Sequence, residues 1–246
     1  MVGWLGGCCC GGGTPPPPFC DSGFNESLTE DFSPDFDPYL TKIGEVVATA
    51  GVMRATGNWF FYSSSITGGW VYGVFQKTSL DSTFTISLKL IDWQTLMTPF
   101  TQYSVQLLII PPGGRCYGLE AYNAGGAPGV PALNRYQVML NGAGSLPGVG
   151  PARIVLSNEP QDGDTMSVDF LNWTTSGIVT PGGARPQQID FKVNGVVVHS
   201  ITTVTETFQP CDIDVLVYLW QPAFPSGVIS PGNTIVKLDD FTVSQS

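Results

Sequence analysis

The stretch Gln188-Ile-Asp-Phe-Lys-Val-Asn-Gly-Val-Val-Val-His-Ser-Ile201 decides the fold class of this 246-residue protein. Asn194-Gly195 separates two apolar runs, which is the strongest short-range signal for a β-hairpin, because a type I′ turn needs positive φ at both central residues. A two-residue turn also predicts which residues face each other across the hairpin. The pairs on the buried face are Val193 with Val196, Phe191 with Val198 and Ile189 with Ser200, and those on the other face are Lys192 with Val197 and Asp190 with His199.

The rest of the sequence predicts further strands of the same kind. Phe84, Ile86, Leu88 and Leu90 alternate with polar residues, which is typical of a half-buried strand. After a turn at 161–164, alternation predicts a strand around residues 166–170, and further strands are predicted at 70–75, 103–110, 135–140, 213–220 and 235–243. About a dozen strands and no helical periodicity indicate an all-β, two-sheet antiparallel jelly-roll sandwich with an irregular N-terminal arm.

The composition excludes several classes of function. The net charge of −10 argues against a nucleic-acid partner, because phosphate contacts need clustered Lys and Arg and the ten basic residues are scattered. No apolar run approaches the length of a membrane span. No phosphate loop or nucleophile elbow is recognised, and no cofactor is expected. Only 12% of residues are charged, which suits a surface that is either exposed to harsh surroundings or buried against other subunits.

Residues 1–27 are predicted to form a Gly-, Cys- and Pro-rich arm rather than part of a domain. The prolines at 15–18 favour an extended polyproline segment. The cysteines lack the C-x2-C spacing of a zinc site, so disulfides are the simpler interpretation, while a metal site and a disordered tail stay open. An assembly contact is the prediction for this arm, made by Val2, Trp4, Leu5, Cys8, Cys9, Cys10 and Cys20.

Three short motifs resemble the concanavalin A-like lectin/glucanase superfamily in its laminin-G-like version. Glu30-Asp-Phe-Ser33 resembles the opening strand, Phe191-Lys-Val-Asn-Gly195 the penultimate hairpin, and Leu238-Asp-Asp-Phe-Thr-Val243 the closing strand. The resemblance covers residues 28–246, which we take as the jelly-roll domain. It implies that the first and last strands, around Asp31-Phe32 and residues 241–243, lie side by side in one sheet.

The resemblance does not carry catalytic activity with it. Glucanases of this superfamily use a Glu-x-Asp-x-x-Glu or Glu-x-Asp-x-Glu strand, and here the six glutamates are isolated, so no catalytic residue is assigned. Glycan binding is the alternative, because an aromatic platform beside a polar side chain suits a sugar. On the strand at 213–220, alternation places Tyr218 and Trp220 on one face. The candidate glycan-binding residues are Asn172, Trp173, Tyr218 and Trp220.

These observations favour a non-enzymatic structural or interaction protein. A virion component, either a capsid decoration or a tail-associated protein, fits a weakly charged sequence in which no export signal is recognised. Its expected partners are its own copies and other structural subunits, and its expected location is a virion made in the host cytoplasm. A lectin-like, glycan-binding module is the alternative function, and a degenerate glycoside hydrolase is a weaker one.

Overall fold

The computed structural model describes residues 27–30, 41–43, 46–49, 52–56, 66–75, 83–91, 93, 102–110, 117–124, 133–140, 152–175, 184–204, 213–222 and 235–245. Within these ranges the protein forms fifteen β-strands and no helix, and so no helix that could cross a membrane. The strands are β1 (Ser27–Glu30), β2 (Thr41–Ile43), β3 (Val46–Thr49), β4 (Val52–Thr56), β5 (Ile66–Phe75), β6 (Phe84–Ile91), β7 (Gln102–Ile110), β8 (Tyr117–Ala124), β9 (Leu133–Leu140), β10 (Ala152–Val155), β11 (Thr165–Thr175), β12 (Ala184–Val193), β13 (Val196–Ile201), β14 (Ile213–Pro222) and β15 (Ile235–Gln245).

The strands form two antiparallel sheets, which confirms the predicted jelly-roll sandwich. Sheet A has the order β13-β12-β11-β6-β15-β4-β3, with β1 also paired to β15. Sheet B has the order β10-β9-β8-β7-β14-β5-β2. Strand β1 pairs with β15 from Ser27 opposite Ser244 to Glu30 opposite Phe241. The first and last strands are therefore neighbours, as the resemblance implied, although Asp31 and Phe32 themselves lie outside the described residues.

The core lies between the sheets and is built from the alternation that the sequence shows. In β6 the side chains of Phe84, Ile86, Leu88 and Leu90 are buried, and the residues between them are half-buried. Phe170 of β11 packs edge-on against Phe84 at a centroid distance of 5.8 Å and against Tyr117 of β8 at 6.4 Å. Because Tyr117 belongs to sheet B, this aromatic cluster joins the two sheets.

The hairpin of β12 and β13 has the predicted turn. Asn194 and Gly195 adopt φ values of 51° and 75°, the positive φ that the type I′ turn needs at both central residues. The predicted pairs Val193–Val196 and Lys192–Val197 are confirmed. Val196 is 65% exposed, however, so the buried face of the hairpin does not extend to the first residue of β13.

Beyond Lys192 the predicted register is wrong, because a β-bulge shifts the pairing by one residue. The observed pairs are Phe191 with His199, Asp190 with Ser200 and Ile189 with Ile201, in place of Phe191–Val198, Asp190–His199 and Ile189–Ser200. The shift has a physical reason. It turns Ile201 towards the core and Ser200 towards Asp190, whose Oδ1 accepts a 2.6 Å hydrogen bond from the Ser200 hydroxyl.

The turn before β11 is fixed by Asp164, and we call its contacts the Asp164 clamp. Its Oδ2 accepts hydrogen bonds from the Tyr136 hydroxyl at 2.8 Å and from the Gln161 backbone N–H at 2.9 Å. Its Oδ1 accepts a 2.6 Å hydrogen bond from Nδ2 of Asn194. Tyr136 belongs to sheet B and Asn194 to the hairpin of sheet A, so one carboxylate ties the two sheets together.

Candidate functional site

The face of sheet B that points away from the core carries buried polar side chains. In β7, Val105 and Leu107 point into the core, so Ser104 and Gln106 lie on the opposite face. The same alternation places Glu120 of β8 and Gln137 of β9 on this outer face, in line with Gln106. The relative exposures of Ser104, Gln106, Glu120 and Gln137 are 0%, 0%, 0% and 1%.

Glu120 is the centre of a hydrogen-bonded network on this face. Its Oε1 accepts a 2.9 Å hydrogen bond from Nε2 of Gln106, and its Oε2 accepts a longer one, 3.4 Å, from Nε2 of Gln137. Nε of Arg153, on the edge strand β10, lies 3.2 Å from the same Oε2. The Arg153 side chain is 30% exposed, so a fully buried carboxylate holds a guanidinium that reaches solvent.

The surroundings of Glu120 raise the pKa of its carboxyl above the ordinary value of 4.5. Burial is the main cause, because a desolvated carboxylate loses its hydration. The positive charge of Arg153 opposes this shift and lowers the pKa, followed by hydrogen bonding from Ser104 and Gln106 and by the charge of Arg135. A buried carboxyl with a perturbed pKa and specific partners marks a candidate functional site.

A second arginine lies beside this network. The guanidinium carbon of Arg135 lies 5.5 Å from the centroid of the Tyr122 ring, a cation–π arrangement, and both side chains are half-buried. Tyr122 and Arg135 are Cα partners in β8 and β9, two residues along from Glu120 and Gln137. Among the described residues, two buried polar atoms of this face have no hydrogen-bond partner, namely Oε1 of Gln106 and Nε of Arg135.

The strand register extends the same face towards the aromatic positions of β14. Tyr218 is the Cα partner of Gln106, and Trp220 is the Cα partner of Ser104. On the other side of β14, Trp70 of β5 pairs with Tyr218. This register agrees with the prediction that residues 218 and 220 lie on one face of β14. Aromatic positions and the Glu120 network thus share one surface, which we call the outer face of sheet B.

The other two predicted glycan-binding residues lie in sheet A. Asn172 is exposed and adopts a φ of 53° within β11, and Trp173 is the Cα partner of Pro186 in β12. The structure therefore brings Tyr218 and Trp220 to one sheet and Asn172 and Trp173 to the other. The four residues do not form a single site, and a role in glycan binding stays a prediction for each pair.

The remaining predicted residues fall outside the described ranges. Residues 1–26, with the arm residues Val2, Trp4 and Leu5 and its cysteines, belong to this part of the protein, as do Cys116 and Cys211. Within the described residues no group of three or more His, Cys, Asp or Glu side chains is placed to hold a metal ion. The assembly role of the arm stays a prediction.

Sequence reasoning misses the centre of the outer face. In the sequence Glu120 is one of six isolated glutamates, and no motif points to Gln106, Gln137 or Arg153. A signal is present in the sequence, because the polar residues Ser104 and Gln106 interrupt an otherwise apolar run that contains Val105 and Leu107. What the sequence lacks is the strand order, which alone aligns Gln106, Glu120 and Gln137 in one row.

Solved structures with this fold include enzymes and carbohydrate-binding domains. The endo-1,3-beta-glucanase from Streptomyces sioyaensis matches with a TM-score of 0.53 and 15% identity, covering 89% of both proteins. The Emp47p carbohydrate recognition domain matches with a TM-score of 0.51 and 12% identity, over 89% of this protein and 94% of that one. The CBM2 module of the evolved Dit of Lactobacillus casei BL23 phage J-1 matches with a TM-score of 0.50 and 12% identity, over 89% and 96%.

These similarities show that the protein has the concanavalin A-like jelly-roll fold. At identities of 15% or less they show the fold alone. No protein-family model and no curated protein sequence matches it.

Proposed function

We propose that the protein is a non-enzymatic glycan-binding protein whose ligand lies on the outer face of sheet B. One observation carries this proposal: a buried network around Glu120 supports solvent-reaching side chains on a sheet face that is not part of the core. Burying polar groups costs free energy. The Glu120 network lies on a face that does not contribute to the core between the sheets. Its cost is therefore better explained by a role of this face in binding.

The half-exposed side chains are the ones that suit contact with a sugar. Arg153, held by Glu120, and Arg135, stacked on Tyr122, present guanidinium groups in set orientations. Sugar hydroxyls accept hydrogen bonds from such donors, and aromatic rings such as Tyr122 pack against the apolar faces of sugars. The aromatic positions 218 and 220 extend the same surface. Gln106 and Gln137 contribute by fixing the Glu120 carboxylate beneath it.

The arrangement of carboxylates favours binding over hydrolysis. Glycosidases use two carboxyl groups about 5–9.5 Å apart. On the described part of this face the next acidic position is Asp214, the Cα partner of Ile110. It lies two strands and four residues from Glu120, a distance of about 16 Å at usual strand spacings. Glu120 is fully buried, so its carboxylate is also poorly placed to reach a glycosidic oxygen.

A glycan array with the full-length protein and three variants tests this proposal. Tyr218→Ala and Trp220→Ala should each weaken binding to the recognised glycan, because they remove aromatic positions from the outer face of sheet B. Trp173→Ala is the matched control in sheet A and should leave binding unchanged. Loss of binding in Trp173→Ala, with Tyr218→Ala and Trp220→Ala unaffected, would move the site to sheet A.

The non-enzymatic part of the proposal has a separate test. Incubation of the protein with β-1,3-glucan, chosen because a structural neighbour is an endo-1,3-beta-glucanase, should release no reducing sugar. Release that disappears in Glu120→Gln would show that Glu120 acts as a catalytic carboxyl and would overturn this part of the proposal.

The second candidate function is that of a virion component, either a capsid decoration or a tail-associated protein. The observation that favours it is the structural similarity to a module of a phage Dit. A glycan-binding module and a virion location are compatible, because a particle can carry such a module on its surface. In this function, residues 1–20 make the contact with other subunits.

Deletion of residues 1–20 tests the assembly role. We expect a folded monomer that no longer enters the assembly, whereas the full-length protein forms oligomers whose size depends on reductant if the cysteines bridge subunits. A truncated protein with the same oligomeric state as the full-length one, with and without reductant, would contradict an assembly role for the arm.

A further inference from the structure

The hairpin of β12 and β13 ends in the dipeptide Asn194-Gly195, and both residues are exposed. Asparagine followed by glycine is the sequence most prone to deamidation, because glycine leaves the backbone nitrogen unhindered. In this reaction the Gly195 nitrogen attacks Cγ of Asn194 and the bond between Cγ and Nδ2 breaks. Ammonia is released and a succinimide ring is formed. Water then opens the ring to aspartate or isoaspartate, so the reaction consumes one water and releases one ammonia.

We propose that Asn194 is a site of spontaneous deamidation whose rate is controlled by the Asp164 clamp. The side-chain amide of Asn194 is held at both ends. Its Oδ1 accepts a 2.9 Å hydrogen bond from the Thr165 backbone N–H, and its Nδ2 donates the 2.6 Å hydrogen bond to Asp164. The backbone N–H of Asn194 also donates to the Thr165 carbonyl at 2.8 Å.

Ring closure requires the Asn194 side chain to leave this position. Cγ must turn towards the Gly195 nitrogen, and this rotation breaks the hydrogen bonds to Thr165 and Asp164 together. The reaction therefore proceeds from an opened hairpin tip, and the folded state protects an otherwise labile site. Any change that weakens the hydrogen bonds from the Asn194 side chain to Asp164 and Thr165 increases the fraction of opened molecules and thus the rate.

Deamidation, once it occurs, weakens the clamp that delayed it. The product places a carboxylate where Nδ2 donated to Oδ1 of Asp164, so a hydrogen bond is replaced by repulsion between like charges. The isoaspartate product also adds a methylene group to the backbone within the two-residue turn. Because Asp164 binds Tyr136 of sheet B as well, a change at the hairpin tip affects a contact between the sheets.

Peptide mapping by mass spectrometry of the full-length protein tests the proposal. The protein is incubated at mildly alkaline pH, folded and in urea, and deamidation of Asn194 is followed over time. Asn141-Gly142, outside the described residues, is the second such dipeptide and calibrates the rate in urea. We expect Asn194 to react about tenfold or more slowly in the folded protein, since two hydrogen bonds must break first. Equal rates in both states, or no reaction at Asn194 in urea, would overturn the proposal.

Variants separate the clamp from general stability. Asp164→Ala should speed deamidation of Asn194 in the folded protein several-fold. Tyr136→Phe is the control, since it removes a bond to Oδ2 but leaves the Asn194 bond to Oδ1 in place, and the rate should change little. An equal acceleration in both variants would show that global unfolding sets the rate and would overturn control by the clamp. If Asp164→Ala does not fold, Asp164→Asn, which removes the negative charge that accepts from Nδ2 of Asn194, takes its place in the same comparison.

Discussion

Nε of Arg153 lies 3.2 Å from Oε2 of Glu120, joining the edge strand β10 to the centre of the outer face of sheet B. The two side chains differ in environment, because Glu120 is fully buried and Arg153 is 30% exposed. Burial favours the protonated carboxyl, whereas the guanidinium favours the carboxylate. The balance between the two sets the charge of the candidate site.

Arg153→Gln should therefore destabilise the protein in a pH-dependent way. Burial raises the pKa of Glu120 in the folded state above its ordinary value of 4.5. The contribution of this residue to stability is therefore largest below pH 4.5 and declines as the pH rises through the pKa of the folded state. Removing Arg153 raises this pKa further. We expect a loss of about 1–3 kcal/mol at neutral pH that shrinks under acidic conditions, where the carboxyl is protonated with or without Arg153.

Urea unfolding at several pH values measures this effect. Lys89→Gln is the control, because Lys89 and Asp240 form an ion pair at 3.6 Å with side chains 36% and 61% exposed. Such a pair contributes little, so this variant should stay within about 0.5 kcal/mol of the wild type. An Arg153→Gln loss that is as large below pH 4.5 as at neutral pH would contradict the role assigned to Glu120.

Tyr136→Phe should weaken the contact between the sheets. The variant keeps the buried ring but removes the hydroxyl that donates to Asp164 at 2.8 Å. We expect a loss of about 1–3 kcal/mol, because a buried charged acceptor loses one of its donors. Ser157→Ala, which removes an exposed hydrogen bond to Asn158, is the matched control and should cost far less. Equal denaturation midpoints for the two variants would rule out an energetic role for the Tyr136–Asp164 bond.

Gly118→Ala should disturb the outer face of sheet B by overpacking. A Cβ at residue 118 would collide with Cδ2 of Leu108 and lie 2.7 Å from the Leu107 carbonyl oxygen. Overpacking of this kind costs about 1–3 kcal/mol. Adding Leu108→Ala should recover part of the loss, because it relieves the collision with the Leu108 side chain but not the contact with the backbone. A double-mutant cycle with no coupling between the two sites would show that the strand shifts instead.

Phe241→Ala should destabilise the whole domain. Phe241 is 1% exposed and belongs to β15, which pairs with β1, β4 and β6. Truncation of a buried phenylalanine costs about 3–5 kcal/mol. Val196→Ala, at a position that is 65% exposed, should change the free energy of unfolding by no more than about 0.5 kcal/mol. Similar stability of both variants would contradict the placement of Phe241 in the core.

The sequence predicts most of this fold but not the centre of the candidate site. Alternation identifies β6 and β11 because apolar residues that face the core alternate with polar ones in each sequence. Asn194-Gly195 predicts its turn because that turn needs positive φ. The bulge between Phe191 and Lys192 is not predicted, because it depends on whether Ser200 or Ile201 packs against the core. The Glu120 network is missed because its members come from β7, β8, β9 and β10, and only strand order brings them together.

The central claim is that a glycan binds the outer face of sheet B, and NMR titration tests it most directly. A glycan found on the array is added to isotopically labelled protein while the N–H signals of the arginine, glutamine and asparagine side chains are followed. We predict saturable shifts for Arg135 and Arg153, with smaller ones for Gln106 and Gln137. Gln188, which donates to Asp190 in sheet A, should not shift. Shifts at Gln188 and Asn172 with none at Arg135 and Arg153 would contradict the claim.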